Sequence, residues 1–366
     1  MDASIIVTYR CPMRCKMCNI WDNPTKKSEE FKPEMLRKLP GNLRVVNITG
    51  GEPFIREDIE EIVKILLTKT KTVVFSTSGY FSEKIIEMAK KYPQVGYRIS
   101  IEGLSCKNDE LRGRAGGFDK GLKTLLELKR MGIKNIGFGI TVSNNNSEDM
   151  LNLYELNRNL GMQFATASFH NSFYFHKYDN KVTNQEEVCK NFDELIQRQM
   201  KEKHPKSWFR AFFNLGLINY IQGGRRMLPC EAGNENFFID PFGNVLPCNG
   251  MEESCWFDTM GNLNDVDDFM TIWNGSKAKQ VREKVAHCPK SCWMVGSASP
   301  VMNKYITHIA PWVLKNKLKV MRGGKVDTSC IPFYHVGNND VQGVGNNNPN
   351  QKVGKNPNPS SSGETK

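Results

Sequence analysis

Six short runs rich in β-branched and other apolar residues recur along the first 170 positions: SIIVTY (4–9), LRVVNITG (43–50), KTVVFSTSG (71–79), VGYRISIEG (95–103), IKNIGFGITV (133–142) and MQFATASFH (162–170). Each reads as a strand. Between them, EDIEEIVKILLTK, SEKIIEMAKKY, FDKGLKTLLELKRMG and SEDMLNLYELNRNLG place apolar residues at helical spacing with charges opposite. Six strand and helix repeats predict an α/β fold with a parallel sheet and helices on its outer face. Right-handed crossovers then bring the C-terminal end of every strand to one rim, where parallel α/β proteins place their chemistry.

The pattern changes after residue 183. Residues 184–222 read as one or two helices, and NFFIDPFGNVLPC (236–248) as strand, turn and strand, with Asp240 to Asn244 supplying the turn. Residues 265–285 look helical, and HCPKSCWM (287–294) is a tight cysteine turn. Residues 301–322 form a basic amphipathic stretch that Pro311 is expected to interrupt. From 336 to 366 there is almost nothing apolar to bury, so this tail should be disordered. The expected division is a core at 1–183, a helical connection at 184–224, a small second domain at 225–300, the amphipathic segment at 301–335 and the tail at 336–366.

With 366 residues, 39% of them hydrophobic, the chain is able to bury a full core. No apolar run is long enough to cross a bilayer, and MDASIIVTYRCP lacks a secretory pattern, so a cytoplasmic location is expected. A formal charge of +11 suits an anionic partner. The lysines are scattered along the expected helices, however, and no RNA-binding signature accompanies them, so nucleic acid is not expected. The 301–322 stretch leaves peripheral membrane contact as a possibility to test.

Eleven cysteines in a reducing compartment point to metal rather than to disulfides. Cys11, Cys15 and Cys18 form C-x3-C-x2-C directly after the first strand. A structural zinc site needs a fourth protein ligand, and no second cysteine knuckle lies nearby. A [4Fe–4S] cluster normally takes four thiolates, so three leave one iron open. Cys230, Cys248, Cys288 and Cys292 form a spaced second set, while Cys106, Cys189, Cys255 and Cys330 are left over.

The C-x3-C-x2-C spacing after a first strand resembles the signature of the radical S-adenosylmethionine (radical SAM) superfamily. That resemblance implies a partial (β/α)6 TIM-like barrel and a [4Fe–4S] cluster whose open iron chelates SAM. TGGEP (49–53) resembles the family's Gly-Gly-Glu-Pro motif, which implies that Gly50, Gly51, Glu52 and Pro53 meet the SAM ammonium. Ser76 and Ser78 stand where relatives carry Thr-Asn-Gly. Ser100 and Glu102, in RISIEG, resemble a strand facing the SAM ribose or carboxylate. Arg112, with Arg114 as second choice, resembles the arginine that meets the carboxylate, and a fork of donors suits that partner. Asn144 is expected at the ribose or in a turn, and His170 or Asn171 on a substrate wall or simply packed.

Cys230 to Cys248 resembles the opening of the SPASM extension, but the later cysteine run is incomplete. The match is nearer the shorter Twitch variant, a small C-terminal iron-sulfur domain with one auxiliary [4Fe–4S] cluster on Cys230, Cys248, Cys288 and Cys292. Zinc on the same four is the alternative. The resemblance implies an oxidoreductase that cleaves SAM reductively and abstracts hydrogen from a small polar metabolite, drawing electrons from a one-electron reductant such as flavodoxin or ferredoxin. A peptide-modifying maturase is the nearest alternative. A non-catalytic zinc-binding or interaction protein is the alternative of another class.

Overall fold

Strands β1 (Asp2–Ile6), β2 (Val45–Thr49), β3 (Val73–Thr77), β4 (Gly96–Ser100), β5 (Ile136–Val142) and β6 (Gln163–Ser168) overlap the six apolar runs one for one. The computed structural model describes residues 1–252 and 257–333, so Cys255 and the 336–366 tail lie outside the described residues. Helices α1 (Ile59–Leu67), α2 (Ser82–Lys91), α3 (Cys106–Arg112), α4 (Gly117–Arg130) and α5 (Ser147–Asn159) connect the strands; α3, a two-turn helix, has no counterpart in the sequence pattern.

The alternation along the strands decides which face meets the helices. Val46, Ile48, Val73, Phe75, Tyr97 and Ile99 are buried in one cluster with Ile62, Val63 and Leu66 of α1 and Ile85 of α2. Phe75 lies between Phe54 and Tyr97, with ring centroids 4.6 Å and 5.7 Å away. Each such fully buried side chain contributes about 1.5–3 kcal/mol of transfer free energy. The alternate positions, among them Asn47, Ser76, Arg98, Ser100 and Thr141, are half-buried and polar. The inner face of the sheet therefore suits a polar ligand better than a packed core.

After β6 the chain makes α6 (Gln185–Lys201) and α7 (Pro205–Ile221), then β7 (Asn236–Ile239), β8 (Asn244–Leu246) and β9 (Gly261–Asn262). The hairpin does not stand apart. β7 pairs in parallel with β1, Asp2 opposite Asn236 and Ile5 opposite Ile239, giving one nine-stranded sheet in the order β6-β5-β4-β3-β2-β1-β7-β8-β9. The region carrying the second cysteine set is thus continuous with the first strand's sheet.

Helices α8 (Phe269–Asn274), α9 (Ser276–Ala286), α10 (Val295–Lys304) and α11 (Ile306–Met321) complete the described chain. Pro311 stands inside α11 rather than ending it. Its missing N–H would have served the Thr307 carbonyl, and both residues are exposed, so that carbonyl is not shut away from solvent. Among the described residues no helix is long and apolar enough to cross a membrane.

Candidate metal centres

Glycines hold the loop after β1 from two sides. The Gly51 N–H donates to the Thr8 carbonyl at 2.8 Å and the Glu52 N–H to the Arg10 carbonyl at 3.0 Å. A Cβ on Gly50 would lie 2.5 Å from the Thr8 oxygen, and one on Gly51 would lie 2.3 Å from the Arg10 oxygen and 2.9 Å from Cys11 Cβ. Only glycine lets the two backbones approach so closely. On the far side, Arg14 and Lys16 N–H groups donate to the carbonyls of Arg112 and Leu111 at 3.0 Å and 2.9 Å. Gly113, with φ near +60°, leaves room there for the Arg14 carbonyl.

Charge pairs steady the start of this loop. Arg10 grips Glu30 through two bonds of 2.9 Å and 2.6 Å, and Glu30 also accepts from the hydroxyls of Thr8 and Thr25. Buried Arg56 donates to the Val7 and Phe31 carbonyls, each at 2.9 Å, and to Asp58 at 2.8 Å and 2.6 Å. Cys11, Cys15 and Cys18 are carried between these anchors.

Burial pushes the Cys11 and Cys18 thiols up to about 12, and raises Cys15 as well. Burial of this kind disfavours the thiolate, and a bound metal's positive charge favours it. A cavity of about 560 Å³ opens beside the loop, lined by Cys11, Pro12, Arg14, Trp21, Gly113 and Arg114. That volume falls in the range of small-molecule pockets.

The rim residues divide into those facing the cysteines and those bracing others. Arg112 donates to Glu102 Oε1 at 3.0 Å, and its Nε is buried without a partner. Burial works against its charge, yet the nearby Cys15, Glu102, Cys11 and Glu52 raise its pKa further. Burial pushes the Glu102 carboxyl up, while Arg112 and the Thr141 N–H, 2.7 Å from Oε2, pull it down. Arg114 turns to the Tyr80 hydroxyl at 2.7 Å instead.

Glu52 is fully buried and already committed. Its oxygens accept from the Phe54 N–H at 3.2 Å, the Thr77 hydroxyl at 2.7 Å, and the Ser78 N–H at 2.8 Å together with the Ser78 hydroxyl. A carboxylate has about four lone-pair sites. Glu52 is therefore a fixed anion behind Gly50 and Gly51, and Ser78 acts on it. Pro53 opens the short turn that follows. Ser100 is half-buried at the end of β4, and Ser76 bonds Asn47 at 3.0 Å.

Of the two readings of Asn144, the structure has it in the turn after β5. Asn144 Nδ2 donates to Thr183 Oγ1 at 3.0 Å, and its Oδ1 accepts from the N–H groups of Thr183 and Asn184, each at 2.9 Å. It pins the start of α6. Asn146 is the buried one, donating to the Glu102 carbonyl at 2.8 Å and to that of Thr141 at 3.0 Å.

Sequence reasoning also missed Tyr174. Its hydroxyl donates to the Gly50 carbonyl at 2.7 Å, and its ring belongs to an apolar cluster with Ile6, Tyr9, Ile20, Phe238, Leu246 and Met251. Cys11, Cys18 and Cys248 pack against that cluster, so one apolar bridge joins the two cysteine sets. The 171–178 loop is tied to both: the Asn19 N–H donates to Phe175 O at 2.8 Å, and the Phe173 N–H to Met251 O at 3.1 Å. His170 bonds the Ser168 carbonyl through Nδ1 at 3.0 Å, leaving Nε2 buried and unpartnered; Asn171 accepts from the Asn180 N–H at 2.9 Å.

Cys230, Cys248, Cys288 and Cys292 line one pocket together with Arg226 and Lys290. Burial raises Cys248, helped by the other three thiols, and brings Cys292 up to about 11. Cys106 and Cys330 are exposed and Cys189 is buried in the core. Among the described residues no three His, Cys, Asp or Glu side chains could hold a single metal ion. An iron-sulfur cluster asks for one thiolate per iron; all four cysteines of the second set line one pocket, and of the first set Cys11 lines the 560 Å³ cavity.

Residues 5–156 match the model of the radical SAM superfamily, and residues 230–294 that of SPASM, an iron-sulfur cluster-binding domain. Fe-coproporphyrin III synthase of Methanosarcina barkeri is 30% identical over 158 residues, 41% of this chain and 39% of that protein. The antilisterial bacteriocin subtilosin biosynthesis protein AlbA of Bacillus subtilis is 26% identical over 252 residues, 67% of this chain and 54% of that protein. The chain thus spans about half or less of the length of these curated relatives. Streptococcus suis SuiB has the same fold, with a TM-score of 0.58 at 19% identity over 77% of this chain and 67% of its own. SuiB has also been solved bound to S-adenosylmethionine and bound to precursor peptide SuiA.

Proposed function

We infer the function from one premise: the chain belongs to the radical SAM superfamily and carries a C-terminal SPASM iron-sulfur domain. Its cofactors are [4Fe–4S] clusters and S-adenosylmethionine. We assign the first cluster to Cys11, Cys15 and Cys18, and one auxiliary cluster to Cys230, Cys248, Cys288 and Cys292. When bound, the first cluster supplies the electron that splits S-adenosylmethionine into methionine and a 5′-deoxyadenosyl radical, which takes hydrogen from a substrate C–H bond. A fully ligated auxiliary cluster has no open position, so electron transfer is the chemistry it supplies.

The protein's own residues do the positioning. Three thiolates leave one corner free for the amino-acid end of the cofactor. Arg112, with its buried Nε unpartnered, is the donor fork for the carboxylate. The Gly50 and Gly51 backbone, with Glu52 fixed behind it, suits the ammonium. The Ser100 hydroxyl is the candidate for the ribose, and the cavity beside Trp21 has room for the nucleoside.

A polypeptide is the substrate class these observations favour, ahead of the small polar metabolite. The similarity to AlbA runs through 252 residues, well past the barrel, whereas that to the coproporphyrin enzyme stops at 158. SuiB, of the same fold, takes a precursor peptide. A one-electron reductant such as flavodoxin or ferredoxin is the partner the chemistry requires.

The observation that carries this reading is the pair of cysteine sets joined by one apolar cluster, against which Cys11, Cys18 and Cys248 pack. Anaerobically reconstituted protein, given S-adenosylmethionine and dithionite, should release 5′-deoxyadenosine. Peptides encoded beside its gene should then appear two hydrogens lighter by mass spectrometry. Zinc without sulfide in the purified protein would sink the enzyme reading; a modified small metabolite with every peptide unchanged would sink the peptide reading alone.

A further inference from the structure

Helix α11 has one face locked onto the protein and another that no other described residue covers. Ile309, Val313 and Asn316 are buried, and the Trp312 ring meets Phe212 edge-on at 5.2 Å. On the outer side Leu314, Leu318 and Met321 are 56%, 52% and 70% exposed, and Ile306 is 46% exposed. At about 100° per residue, Leu314, Leu318 and Met321 fall within roughly 60° of one another around the helix. Lys315, Lys319 and Arg322 occupy the next sector. Large apolar side chains in a row, rimmed by cations, mark an interaction surface.

The charge pattern says what kind of surface belongs there. Between Glu283 and Asp327 the chain has no acidic residue, while Lys315, Lys317, Lys319, Arg322 and Lys325 fall in positions 315–325. Lys317 turns inward to the carbonyls of Met200 and Glu202, but the other four form no ion pair among the described residues. We propose that this face of α11 docks on an anionic lipid surface, with Leu314, Leu318 and Met321 entering the headgroup region and Lys315, Lys319 and Arg322 meeting phosphates. The remaining chain is a poor cover, since residues 334–366 have Asp340 and Glu364 against Lys352, Lys355 and Lys366 and only scattered valines and one tyrosine as apolar residues. A second copy is disfavoured as well. A two-fold pairing of this face would set its lysines against each other.

The test is vesicle flotation of the full-length protein. Binding is expected to phosphatidylcholine vesicles with about 30% phosphatidylglycerol and not to phosphatidylcholine alone. The exposed set L314Q/L318Q/M321Q and, separately, K315Q/K319Q/R322Q should each weaken binding at least about tenfold, since one charge near the surface is worth about fivefold. Circular dichroism checks that both remain folded. Salt of about 0.5 M, which shortens screening to about 4 Å, should release the wild type. The proposal is overturned if the wild type ignores anionic vesicles, or if it binds them and both variants bind as tightly. It is overturned equally if light scattering shows a dimer that the apolar variant abolishes.

Discussion

Gly51→Ala should disable the first cluster with every cysteine left in the sequence. The new Cβ would lie 2.3 Å from the Arg10 oxygen, 2.7 Å from the Arg10 carbonyl carbon and 2.9 Å from Cys11 Cβ, where ordinary contact begins near 3.4 Å. Backbone, not a flexible side-chain tip, has to give way by roughly 1 Å. Overpacking of this kind costs about 1–3 kcal/mol. The segment forced to move carries Cys11, and a displacement of about 1 Å at a catalytic group costs on the order of 10²-fold in rate. The assay is iron and sulfide content after anaerobic reconstitution, followed by 5′-deoxyadenosine release with dithionite. Gly41→Ala is the control, because its Cβ meets nothing within 4 Å. Should Gly51→Ala match Gly41→Ala in cluster content, turnover and thermal stability, the argument that glycines clamp the cysteine loop is wrong.

Other substitutions test separate parts of the site. Cys248→Ala should lower the iron content from about eight to about four per chain while leaving the first cluster's response to S-adenosylmethionine intact; a chain that keeps all its iron would remove Cys248 from the ligand set. Arg112→Met leaves Glu102 buried without its partner, and should cost about 3–5 kcal/mol in denaturant unfolding. Arg112→Lys should recover part of that stability but little of the cofactor affinity, since the fork is lost. Asp58 carries the pH prediction. Burial pushes its carboxyl up, but the Arg56 fork outweighs this and holds it below the ordinary 3.8. Its folded value being the lower one, its contribution is full above the unfolded value of about 4 and is lost as the pH falls from there through the lower folded value. Asp58→Asn should therefore be less stable than the wild type at neutral pH and show a shallower acid titration by circular dichroism. Equal slopes would contradict the pairing.

What the sequence disclosed was local. The strands announced themselves by β-branched runs, and the cysteine triad by its spacing just after the first of them. Gly50 to Pro53 were recognisable as a motif, although the reason for the glycines, close approach to Thr8 and Arg10, appears only when the two loops meet. Partners far apart in the chain left no signal. Tyr174 reaching Gly50, Arg10 gripping Glu30, and β7 lying beside β1 are long-range pairings that no window of residues encodes. Among Asn144, Asn145 and Asn146 composition offers no way to choose which is buried; the turn geometry ties Asn146 to the Glu102 carbonyl and Asn144 to the start of α6. Glu52 matched its motif, yet its four donors from the 53–78 region show a carboxylate that orders the rim.

The central claim concerns one open iron at Cys11, Cys15 and Cys18, and electron paramagnetic resonance tests it most directly. In a chain with Cys230, Cys248, Cys288 and Cys292 all changed to alanine, a single reduced cluster should remain. Adding S-adenosylmethionine should shift its signal, and 5′-deoxyadenosine should appear as the cluster is oxidised. A reduced signal that is present but indifferent to S-adenosylmethionine, with no nucleoside released, would contradict the account.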